Sequence, residues 1–174
     1  MGCDIHMFAE YKSKDSANWR FLDCGNPLMD RHYNLFGLFT CYSRTVYPED
    51  IDIVHEPNGI PDDISDPLIR EYTLKIDDEG YQKGWERTIN SDWVLKNQEY
   101  VKYYKNMPDR IIDTNWYSES CITLEEYKAI LDFYKSDENP YKGNYDICWD
   151  AFYNHVKTYQ DAGYDVRIIY WFDN

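Results

Sequence analysis

The sequence predicts an α+β protein built on an antiparallel sheet, with its first and last strands near each other and three or four helices packed on it. Three observations carry this. The most regular strand pattern opens the chain, the most strongly β-forming run closes it, and the helix signals cluster late. At 174 residues the chain is the size of one ordinary domain and can bury a core without metal or disulfide staples, so a single domain over 1–174 is expected.

Residues 3 to 11 alternate as a half-buried strand must. Cys3, Ile5, Met7, Ala9 and Tyr11 fall on one face and Asp4, His6, Phe8 and Glu10 on the other, with the first set expected in the core. A polar turn then leads into Trp19-Arg20-Phe21-Leu22, which reads as the second arm of a hairpin. Residues 31 to 44 form another apolar block, readable as short helix or strand. Between Glu49 and Glu79 eleven acids face two bases, Arg70 and Lys75, with Pro57, Gly59, Pro61 and Pro67 as punctuation, so a long surface loop is expected there. One helix should interrupt it, capped by Asp66, starting at Pro67 and burying Leu68, Ile69 and Tyr72.

A helix is also expected over 91 to 105. The clearest start is Thr123-Leu124-Glu125-Glu126, a capping box that precedes a stripe of Leu124, Tyr127, Ile130, Leu131 and Tyr134. A last helix, about 146 to 161, should turn Cys148, Phe152, His155, Val156 and Tyr159 to one side and stop at Gly163. Val166 to Phe172 is apolar on both faces and belongs inside the sheet beside the first strand.

Charge bounds the partners. Thirty-two acidic against eighteen basic side chains give a net charge of −14, a field that repels phosphate backbones and anionic membranes, so general nucleic-acid binding is disfavoured. There is no apolar run long enough to span a membrane and no basic-then-apolar leader, and a cytoplasmic protein is expected. Five cysteines without a C-x-x-C pair suggest reduced thiols, with neither a disulfide framework nor a zinc knuckle. Walker, G-x-G-x-x-G and H-E-x-x-H motifs are absent, and no cofactor, metal or catalytic residue is assigned.

The opening Met-Gly-Cys-Asp-Ile-His resembles a family of small, largely uncharacterised phage and bacterial proteins. Arg31-His32-Tyr33-Asn34-Leu35-Phe36, Gly59-Ile60-Pro61-Asp62-Asp63-Ile64-Ser65 and the terminal Trp171-Phe172-Asp173-Asn174 are similar to further blocks of that family. Where the family tends to carry His-Ser-x-Ser-Trp-Leu-Thr, this chain has Tyr117-Ser118-Glu119-Ser120-Cys121-Ile122-Thr123, and Asn58 stands where an Arg is common. The resemblance implies a bacterial host cytoplasm and adds Arg31, Tyr33 and Asp62 to the candidate ligand-binding residues.

Asp4 and His6 project from one strand face, the spacing of an acid/base pair or of two metal ligands. If the last strand lies alongside, Arg167, Ile169, Trp171 and Asp173 share that face, and Trp171 could stack on a base while Arg167 forks a phosphate. Ser118, Glu119 and Ser120 precede the capping box, where a helix N-terminus offers free amides to an anion. His32 and His155 fit apolar stripes, and His55 is expected in solvent. The expected function is to sequester a nucleotide-like signal of a host defence system; the alternatives are an inhibitor that binds a host defence protein through its acidic, Tyr-rich surface, and a metal- or Ser/His-dependent hydrolase built from Ser118 or Ser120, His6 and Asp4. A homo-oligomer is compatible with each.

Overall fold

The structure, a computed structural model, describes residues 3–23, 32–41, 43, 45–49, 51–79 and 86–173. In chain order these form β1 (Asp4–Lys12), β2 (Arg20–Leu22), α1 (Tyr33–Phe39), α2 (Asp66–Tyr72), β3 (Thr73–Asp77), β4 (Thr88–Asn90) and α3 (Ser91–Lys96). They continue through β5 (Tyr103–Tyr104), β6 (Met107–Ile112), β7 (Tyr117–Ile122), α4 (Leu124–Lys135), α5 (Cys148–Asp161) and β8 (Asp165–Asp173). The chain divides into two compact units, Met1–Ile64 with Tyr117–Asn174, and Ser65–Trp116.

The first unit is a four-stranded antiparallel sheet in the order β2-β1-β8-β7. As expected, the terminal strands are neighbours: β1 and β8 pair along their full length, from Asp4 opposite Asp173 to Lys12 opposite Asp165. Ile5, Met7 and Ala9 turn inward with Ile168, Tyr170 and Phe172, and the expected hairpin sets Ala9 opposite Leu22. Leu35, Phe36, Phe39, Tyr127, Leu131, Trp149 and Phe152 from α1, α4 and α5 complete this core. Each such side chain contributes roughly 1.5–3 kcal/mol on burial.

The ambiguous block is helical. Gly37 permits the close return of the following loop, because a Cβ there would lie 2.3 Å from the carbonyl oxygen of Thr45. The capping box of α4 is formed as expected: the Glu126 amide donates to Thr123 Oγ1 at 3.1 Å and the Thr123 amide to Glu126 Oε2 at 2.7 Å. All five positions of its stripe are buried. In α5 the buried set is Trp149, Phe152 and Val156, spaced by three and four residues. His155 is exposed instead of core, since one residue of helix turns it about 100° away from Val156. Gly163, at φ +91°, stops the helix in a conformation that costs glycine little.

The second unit holds a sheet of short strands in the order β4-β3-β6-β5, in which β3 and β4 are parallel. The helix α2 buries Leu68, Ile69 and Tyr72 as expected, although Ser65 occupies the cap position and Asp66 the first turn. Thr73 to Asp77 is a strand where loop is expected, and the helix expected over 91–105 ends at Lys96. Only Val94 of α3 is buried, so a longer helix would have no stripe to bury, and Tyr104 pairs with β6 instead. Ion pairs Arg87 to Asp113 and Arg110 to Glu86 tie this sheet together, and Arg110 Nη1 also donates to Thr73 Oγ1 at 3.2 Å. Among the described residues no helix is long and apolar enough to cross a membrane.

Candidate functional site

The β1–β8 register brings the expected residues onto one face: Asp4, His6, Phe8 and Glu10 lie opposite Asp173, Trp171, Ile169 and Arg167. They collect at two separate ends. At one end Arg167 is 9% exposed and Glu10 fully buried. Arg167 Nε and Nη2 donate to Glu10 Oε2 at 2.8 and 2.7 Å, Nη1 donates to Asp63 Oδ1 at 2.6 Å, and Nη2 donates to the Asp63 carbonyl at 3.1 Å. The guanidinium also lies 4.0 Å from the Trp19 ring centre, and Trp19 Nε1 donates to Asp63 Oδ2 at 3.0 Å. Burial pulls the Asp63 carboxyl upward, but the hydrogen bond and charge of Arg167 outweigh it and hold the group below its ordinary value. The residue expected to fork a phosphate thus has two carboxylates as partners in the fold. Register puts Glu10 across from Arg167, and the returning loop supplies Asp63, so the cation is neutralised within the fold.

At the other end, Asp173 Oδ2 lies 3.1 Å from His6 Nε2, while Asp173 Oδ1 accepts from the Asp4 amide at 3.0 Å. The His6 and Asp173 side chains keep 29% and 27% of their exposure. Trp171 is fully buried. Its ring stacks on His6 at 5.9 Å and contacts Phe8 at 5.1 Å, so its ring partners within the fold are His6 and Phe8. This end is a carboxylate-oriented histidine, partly exposed at the surface. Among the described residues no three His, Cys, Asp or Glu side chains gather into a metal-binding group.

Ser118, Glu119 and Ser120 do not sit at a helix entrance. They belong to β7, the edge strand, in which Ser118 adopts φ +55° where the register shifts between Tyr117 and Ser120. Ser118 Oγ accepts from Thr40 Oγ1 at 2.9 Å, and Ser120 Oγ accepts from the Asn58 amide at 3.3 Å. The Gly59 amide donates to the Glu119 carbonyl at 2.8 Å, and the Asn58 side chain makes two 2.8 Å bonds to the Cys121 backbone. Asn58 and Cys121 are thus partners. Residues 58 to 63 act as a strap that covers the β7 edge and ends on Arg167. Burial pushes the Cys121 thiol up to about 11, Arg167 opposing and the nearby carboxylates assisting, so it is protonated at neutral pH.

His55 is not in free solvent. Its amide donates to the Leu38 carbonyl at 2.9 Å and its Nδ1 lies 3.1 Å from the Tyr170 hydroxyl, which donates to the Phe39 carbonyl at 2.8 Å. Burial lowers the His55 pKa, against the pull of Glu126 and Glu56, and burial likewise raises that of Tyr170. The signal for this packing was present in Ile51, Ile53 and Val54, apolar residues within the acidic run that lie against the core. Tyr33 also packs against the core, Asp62 is exposed on the strap, and Arg31 lies outside the described residues, as does Cys24. Cys3, Cys41, Cys121 and Cys148 are free thiols.

The surface chemistry of the units differs. Twenty-two acidic and ten basic side chains fall in the first, ten and eight in the second. In the first unit Lys128, Lys135, Lys142 and Lys157 are each paired with a carboxylate of the same surface. No protein-family model, curated protein or solved structure matches the chain.

Proposed function

We propose that this is a non-enzymatic binding protein whose acidic first unit engages a basic surface of a partner protein. The observation that carries this reading is the engagement of Arg167 by Glu10 and Asp63. With that guanidinium balanced by two carboxylates, and with Lys128, Lys135, Lys142 and Lys157 each paired, these five cations are already engaged within the fold and not offered to a phosphorylated small ligand. A basic protein surface meets the excess of twelve acids over bases in this unit. The resemblance of the opening motif to phage proteins makes a host defence protein the class of partner to test first.

The experiment is affinity capture from host extract in low and high salt, beside mass analysis of small molecules released from the purified protein. The proposal expects a basic protein retained at low salt and released as screening shortens the Debye length, from about 10 Å at 0.1 M to about 3 Å at 1 M. A stoichiometric phosphorylated compound released from the purified protein would overturn it in favour of sequestration.

A further inference from the structure

Within the acidic unit one depression of about 480 Å³ is lined by Ile51, Asp52, Ile53, Phe133 and Glu138. That volume lies in the range of small-ligand sites, roughly 300–1,000 Å³. Ile51, Ile53 and Phe133 are half-buried and pack against the core, which fixes an apolar floor. Asp52 and Glu138 are exposed, and neither has a hydrogen bond or ion pair among the described residues. Their neighbour Asp137 is different, because Lys142 holds it at 3.0 Å. The Phe133 ring meets Tyr47 at 6.2 Å, and Tyr47 meets the exposed Tyr141 at 5.1 Å, so aromatic surface extends beyond the floor.

We propose that this depression receives a single arginine side chain of the basic partner. An arginine has the two parts the lining calls for: an aliphatic stem that buries on Ile51 and Ile53, and a flat cation that stacks on an aromatic face while its edge reaches carboxylates. Lysine would gain the charge contact but not the stacking. Arginine is among the side chains in which interface energy concentrates, and the exposed, unpaired Asp52 and Glu138 are the complementary charges such an anchor needs. This inference rests on the acidic-surface reading above and names the point on that surface where docking is centred.

The test is NMR of the full chain with labelled isoleucine methyls, titrated with the blocked tripeptide Gly-Arg-Gly and with its citrulline counterpart, which keeps the shape and loses the charge. The expected result is saturable movement of the Ile51 and Ile53 methyl signals with the arginine peptide. The citrulline peptide, and the Asp52→Asn/Glu138→Gln variant with the arginine peptide, should each bind at least tenfold more weakly, the variant's melting temperature being unchanged. Equal affinity for citrulline would overturn the proposal. Movement of signals elsewhere on the acidic unit with Ile51 and Ile53 still would also overturn it, while the reading of an acidic docking surface would stand. An absence of any movement would count against both.

Discussion

The two ends of the β1–β8 ladder begin from the same ingredients, a basic side chain on one strand facing an acid or aromatic on the other, and they finish differently. At the Glu10 end the loop from 58 to 63 returns and adds Asp63, so Arg167 is shut in with both carboxylates and the Trp19 ring. At the His6 end Asp173 is the partner, and about a quarter of each side chain meets solvent. A cation on a sheet face is available to a ligand only if the rest of the fold leaves it uncompensated. Pairing alone does not decide that; the chain segment that covers the face does.

Substitution distinguishes the two ends. The largest effect belongs to Arg167→Ala, which leaves Glu10 buried without its cation and should cost about 3–5 kcal/mol in urea unfolding, or prevent folding. Asp63→Asn is intermediate, about 1 kcal/mol at neutral pH, because Asp63 is largely solvated. It also carries a pH signature. The Asp63 carboxyl is held below its ordinary value in the fold, so its contribution is present above that ordinary value and is lost as pH falls through the lowered one. Asp63→Asn should therefore remove part of the acid-induced loss of stability, read as a flatter melting-temperature profile below pH 4, near the ordinary carboxylate range. His6→Ala should have the smallest effect, within roughly 1 kcal/mol, since a partly exposed pair is screened by water. A His6→Ala cost equal to that of Arg167→Ala would remove the distinction between the two ends.

Much of the first unit was legible in the sequence. The alternation of residues 3 to 11, the β-forming run 166 to 172 and the Thr123 capping box each rest on local patterns, and each element is found with its buried face as expected. The β1–β8 pairing, and so the shared face of His6, Glu10, Arg167 and Trp171, followed from those patterns. What could not be read was compensation. That Asp63 returns to Arg167 across 104 positions is decided by the course of an acidic loop with no periodic signal. The second unit was illegible for a related reason: β3 and β4 are short and half-buried, and charged pairs at and beside the strand ends do work that apolar alternation does elsewhere. Ser118 and Ser120 escaped because they fill two of the alternating buried positions of β7 with hydroxyls, so no apolar alternation marks the strand.

The most direct measurement is a double-mutant cycle between Glu10 and Arg167, with each replaced by methionine singly and together, followed by equilibrium unfolding. If Arg167 is a structural cation closed within the fold, each single change should cost several kcal/mol and the double change much less than their sum, because the second substitution removes the buried charge that the first leaves unpaired. Single costs within about 1 kcal/mol that simply add would contradict this account. Arg167 would then be energetically free of Glu10 and available to an anionic ligand.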